Sequence, residues 1–206
     1  MIAQQRLNQE LLSGEDWARA DFYALLSNLF FTAPSPELRS NLAATELMVE
    51  EDASLLSADW LALIAIAKER SVQSIADEYD ALFIGVGKAD LMMFGSYHQS
   101  GFLNEKPLVY LRDDLQRLGL GRIQSVNETE DHLAFLCEAM RYLIVEANPP
   151  KPFSDQREFF NAHISSWVFK FLDELDAHPR ADFYKVVGRL ARSFFEIERQ
   201  SFDFEV

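Results

Sequence analysis

The chain has 206 residues, 49% hydrophobic and 13% aromatic with 17 Phe, which suits a large buried core and argues against disorder. Its formal net charge of −14 argues against a nucleic-acid backbone as partner, since phosphate neutralisation needs surplus Lys and Arg. The single cysteine, Cys137, excludes an internal disulfide and a cysteine-based metal centre. No apolar run approaches the length of a bilayer span. The opening Met1-Ile2-Ala3-Gln4-Gln5-Arg6 lacks the apolar stretch of a secretion signal. The expectation is a soluble cytoplasmic protein with no stable membrane insertion.

Helical spacing recurs along nearly the whole chain, and alternating strand patterns are scarce. Phe22, Leu25, Leu26, Leu29 and Phe30 predict a helix that starts after Ser13, carries Glu15 and Asp16 in its first turn, and stops by Pro34. Ser35-Pro36 reads as an N-cap and first helical residue, followed by Leu38 and Leu42. Trp60, Ile64 and Ala67 mark a third helix. A fourth, entered at Ser71, carries Val72, Ile75, Ala76, Tyr79, Leu82 and Phe83. Residues 85–106 break the period and hold four of the eight glycines, as expected of a long irregular loop with a function. Leu108, Leu111, Leu115 and Leu118 resume it, with Gly119 and Gly121 as C-cap candidates.

The next helix is predicted to open at Asn127 and run to Asn148-Pro149-Pro150. Phe160, Ile164, Trp167, Val168, Phe171 and Leu175 predict one long helix closing before His178-Pro179. Phe183, Val187, Leu190, Phe194 and Ile197 predict the last. The expected fold is all-α: a single compact helical domain over residues 1–206, with N-terminal helices in 1–84, a loop over 85–106 and C-terminal helices in 107–206. A glycine-rich loop between helical halves also permits domain swapping, hence a homodimer.

At about 100° per residue from Glu128, Asp131, Phe135, Glu128 and His132 fall within one stripe. Leu133, Leu136, Cys137, Met140 and Ile144 form a separate, core-like stripe. Two readings of the first stripe stand side by side. It is a recognition surface, or it is first-turn electrostatics worth roughly 0.3–1 kcal/mol per acidic residue, with Glu130 completing a capping box on Asn127. The second leaves Phe135 unexplained. Met92, Met93, Phe94 and Tyr97 are likewise loop side chains folded onto the core, or an adaptable apolar groove. His163 and Trp167 read as core or core-edge residues.

Catalytic signals are weak. Gly85-Val86-Gly87-Lys88 is not a phosphate loop, because Leu82 and Ala89 stand where that motif needs Gly and Ser or Thr. Helical di-metal sites use Glu-x-x-His pairs, whereas Gly95, Thr129, Phe160 and Leu175 stand three before the four histidines. No Ser or Cys has an activating context. The expectation is no catalytic residue, no metal and no cofactor. The alternative is a helical metal-binding protein or enzyme using Glu128, Asp131 and His132.

Glu78-Tyr79-Asp80-Ala81-Leu82-Phe83-Ile84-Gly85 resembles the E-Y-x-x-L-F-x-G signature of the TorD/DmsD family of cytoplasmic redox-enzyme maturation chaperones. Glu128-Thr129-Glu130-Asp131-His132-Leu133 resembles that family's E-x-x-D-H-[LI] motif. Phe94-Gly95-Ser96-Tyr97 stands in the place of its P-x-x-S-[VA]-[YW] loop, and 159–167 is similar to its F-x-x-x-H-[LI]-x-x-W pattern. The likeness is collinear over roughly residues 16 to 200, with one departure: Met93 stands where the family commonly has Pro. The resemblance implies an all-helical, non-enzymatic chaperone. Its partners would be the twin-arginine signal peptide and the apo form of a molybdenum-containing oxidoreductase, held until cofactor insertion. Asp131 and His132 would be the central binding pair, with Tyr79, Leu82, Phe83, Ser96 and Tyr97 flanking a groove. Residue chemistry agrees: Glu128 and Asp131 suit arginine, while Phe135, Met92, Met93 and Phe94 suit the apolar stretch that follows.

Overall fold

In a computed structural model of the protein, which describes residues 12–45, 55–85, 87–121, 128–147 and 151–204, every regular element is a helix. In chain order these are α1 (Gly14–Phe31), α2 (Pro36–Ala44), α3 (Leu55–Glu69), α4 (Val72–Tyr79), α5 (Gly95–Ser100), α6 (Lys106–Leu118), α7 (Leu133–Arg141), α8 (Phe153–Phe160), α9 (Val168–Ala177) and α10 (Phe183–Phe204). Helices α4, α7 and α8 each run on into a π-helical turn: Asp80–Ile84, Tyr142–Glu146 and Asn161–Ser165. Two of these turns are closed by i+5 hydrogen bonds of 2.8 Å, from Gly85 N–H to the Asp80 carbonyl and from Ala147 N–H to that of Tyr142. The all-α expectation holds.

Local chemistry sets most helix ends. Ser13 and Asp16 form a reciprocal box: Ser13 Oγ accepts from Asp16 N–H at 3.1 Å, and Asp16 Oδ2 accepts from Ser13 N–H at 3.0 Å. Ser35 caps α2 through Leu38 N–H, and Ser71 caps α4 through Ser74 N–H. Helix α6 ends on Gly119 at φ 84°, with Leu120 N–H on the Leu115 carbonyl and Gly119 N–H on that of Gln116.

Three expectations change. The loop over 85–106 contains the six-residue α5. The long helix through Phe160 and Leu175 is two helices, interrupted at Ser166-Trp167. The helix expected from Asn127 begins at Leu133, with His132 as its N-cap. Its proposed Asn127 cap lies outside the described residues, as do Val86, Asn148, Pro149, Pro150 and Met1 through Arg6.

The chain forms two compact units, one of residues up to Asn28 with 94–167, the other of residues 29–93 with 168 onward. In the second, the Glu78 carboxylate accepts from the N–H groups of Asp182, Phe183 and Tyr184 at 2.8–3.0 Å, capping α10. Tyr79 Oη donates to the Phe31 carbonyl at 2.7 Å, and Phe83 meets Tyr184 edge-on at 5.0 Å. Gly85 sits at φ 64°, where an added Cβ would stand 2.1 Å from the Lys88 carbonyl oxygen, so only glycine fits. In the first unit, Leu133, Leu136, Cys137, Met140 and Ile144 are buried as the expected core stripe. Burial pushes the Cys137 thiol up, far from reactivity.

Candidate functional site

The turn that leads into α7 is built around Asp131, which is 3% exposed. Its Oδ2 accepts from Ser96 N–H at 2.7 Å, its Oδ1 from the Thr129 hydroxyl at 2.5 Å, and its carbonyl from Gly95 N–H at 2.9 Å. Asp131 therefore supplies, from a distant segment, the cap that α5 lacks locally. Ser96 is buried, and its Oγ accepts from Asn104 N–H at 3.2 Å, steadying Asn104 at φ 62°. Gly95 lies against Trp167: a Cβ there would come within 2.9 Å of the indole nitrogen. That nitrogen donates to the His163 carbonyl at 2.6 Å. Two motif segments far apart in sequence thus meet at one point.

His132 is also buried, and its Nδ1 accepts from Ala134 N–H at 3.2 Å. That bond leaves the neutral ring's proton on Nε2. Burial lowers its pKa to about 4, outweighing the opposing pull of Glu128 and Asp131. Phe94 packs edge-on to the ring at 5.0 Å, and Phe135 meets it from α7 at 5.7 Å. Elsewhere in the unit His163 pairs with Asp114 at 2.7 Å; its pKa is lowered by burial despite that carboxylate.

Glu128, Phe94, Ser96, Asp131, His132 and Phe135 are thus neighbours in the first unit, but not as one helical stripe. Glu128, Asp131 and His132 precede α7, because Asp131 is committed to α5 and His132 to the cap. Glu128 is exposed and Phe135 half-buried, and both line a cavity of about 260 Å³ between α6 and α7. Tyr97 is half-buried, its ring edge-on to His98 at 5.4 Å. Tyr79, Leu82, Phe83 and Met93 belong to the second unit, where they are 0–7% exposed and fill its core. Met92, in the same unit, is half-buried. Leu115, Glu138, Tyr142 and Glu146 also line the cavity and were not anticipated. Their one sequence signal is the four-residue spacing of Glu138, Tyr142 and Glu146.

The donors of Glu128, Asp131 and His132 do not converge. Among the described residues no group of three or more His, Cys, Asp or Glu is placed to hold a metal ion. None of the described helices is long and apolar enough to cross a membrane.

The family described as nitrate reductase delta subunit matches residues 49–173, more than half of the chain, and the chain belongs to that family. The class is that of redox-enzyme maturation chaperones, not of enzymes. Among its relatives is the chaperone protein TorD of Vibrio cholerae, 27% identical over 205 residues, covering 90% of this chain and 92% of the relative. TorD of Aliivibrio fischeri is 26% identical over 168 residues, covering 77% of each chain. TorD of Photobacterium profundum is 22% identical over 213 residues, covering 96% of this chain and 87% of the relative.

Proposed function

We propose that this chaperone binds the twin-arginine signal peptide and the apo form of a molybdenum-containing oxidoreductase in the cytoplasm, assists cofactor insertion and delays export until it is complete. One observation carries the reading beyond the family. The turn before α7 presents an exposed carboxylate, Glu128, which lines one cavity with the Phe135 ring of α7, on a base fixed by Asp131, His132, Phe94 and Ser96. A peptide with a cationic head and an apolar continuation matches that pairing of charge and apolar surface. Asp131 and His132 hold the surface, and Tyr97 flanks it. Tyr79, Leu82, Phe83 and Met93 serve the reading as the core of the second unit.

A micromolar complex needs about 8 kcal/mol. Exposed ion pairs are individually weak, so apolar contact supplies most of the affinity and the carboxylate sets orientation. The test is deletion of the gene in its host, followed by cofactor analysis of the exported molybdoenzymes. One of them is expected to lose most of its molybdenum cofactor and to regain it on complementation. Full cofactor content in every exported molybdoenzyme would remove the reading.

A further inference from the structure

Helix α6 buries Leu108, Leu111 and Leu118 and leaves Lys106, Val109, Tyr110 and Asp113 exposed. At about 100° per residue those four fall within one stripe roughly 100° wide, opposite the buried one. Val109 is 52% and Tyr110 62% exposed; Phe102, at 70%, and Leu103 stand just before the helix in the chain. Isolated exposed apolar residues are ordinary on a monomer, but a cluster of large ones marks an interaction surface. The turn that carries Phe102 and Leu103 is already fixed. The Ser100 hydroxyl donates to the Ser96 carbonyl at 2.6 Å, Asn104 N–H donates to Ser96 Oγ at 3.2 Å, and Gly101 closes α5 at φ 87°. Little ordering remains to oppose binding there.

The charges of α6 divide into two groups. Arg112 is held by Glu130, while Asp114 and Arg117 are held by each other, by His163 and by Glu158. Lys106 and Asp113 make no ion pair among the described residues. They stand two turns apart on the exposed stripe, roughly 10 Å along the axis, with Val109 and Tyr110 midway between them.

We propose that this face of α6 packs antiparallel against the same face of a second copy of the chain. A twofold axis between Val109 and Tyr110 sets Lys106 opposite Asp113 of the second copy, and Val109 of each copy against Tyr110 of the other. The occupant follows from the charges. The stripe carries an unpaired cation and an unpaired anion, and its own image about that axis presents the same pair in reversed order. The chain's net charge of −14 makes two copies repel elsewhere, so they meet on a face that has no net charge. No segment changes places, unlike in a domain-swapped dimer. One helix face and one turn make a small interface, so the dimer is weak.

The experiment is sedimentation velocity of the full chain across a concentration series, with circular dichroism to report folding. Wild type is expected to pair with a midpoint of about 10–100 μM. Tyr110→Glu, Lys106→Glu and Asp113→Lys are each expected to weaken pairing about tenfold, since by symmetry each alters two contacts of the dimer. All three positions are exposed, and the two charge reversals stand even if Tyr110→Glu fails to fold. Asp113→Lys makes the chain less acidic, so a bulk charge effect would strengthen its dimer and only the stated pairing weakens it. Mixing Lys106→Glu with Asp113→Lys is expected to restore pairing to within about threefold of wild type, because each then meets an opposite charge. Wild type that stays monomeric at about 1 mM would overturn the proposal and leave the face to a different partner. A dimer untouched by the folded variants, or strengthened by Asp113→Lys, would overturn it by putting the contact elsewhere. A mixture no better than its components would overturn the Lys106–Asp113 pairing.

Discussion

Asp131 carries three hydrogen bonds from the segments around it, two at its carboxylate and one at its carbonyl. Asp131→Ala strands the buried Ser96 N–H and is expected to destabilise the protein by about 1–3 kcal/mol in urea unfolding. Asp131→Asn keeps an acceptor and is expected to recover most of that. An alanine variant as stable as wild type would show that α5 does not depend on this cap. His132 titrates near 6.5 when unfolded and at about 4 when folded. Between those values the unfolded chain binds a proton that the folded chain refuses, so stability is complete above pH 6.5 and is lost as pH falls towards 4. The shift corresponds to something on the order of 3 kcal/mol. His163, also lowered, adds loss of the same sign. His132→Asn retains a capping oxygen without the titration, so its stability should vary less with pH across this window than wild type's. Equal slopes would contradict the assignment. The residues of this turn were legible in the sequence and their work was not. Ser96 lies 35 residues from Asp131, and periodicity extended back to Glu128 drew as a helix face what is a turn.

At the scale of elements, Glu78 is a carboxylate at the end of one helix that caps another 104 to 106 residues later. Glu78→Ala is expected to cost about 1–3 kcal/mol and to raise hydrogen exchange first in the initial turn of α10. Unchanged protection at Asp182, Phe183 and Tyr184 would contradict it. The comparison with Ser13, Ser35, Ser71 and Gly119 explains what a sequence reveals. Those four ends are set by atoms within a few residues, and each was readable. The α10 cap comes from a distant segment and gave no local sign. Helix α5 is the same case: six residues carry no period, and Asp131, far along the chain, supplies its cap.

At the scale of the molecule, helical class followed from periodicity because nearly every helix buries one stripe. The division into two units did not, since one boundary falls inside α1, between Asn28 and Leu29, where the apolar spacing continues unbroken. The net charge of −14 is spread over the whole chain and favours encounter with a cationic peptide more than it adds affinity. The most direct measurement is calorimetric titration of the purified protein with twin-arginine signal peptides of molybdoenzymes from its own genome, each beside a version with both arginines replaced by alanine. Micromolar binding to at least one peptide is expected, with a loss of about tenfold or more in its alanine version. A folded protein that binds none of them, or binds both versions equally, would contradict it.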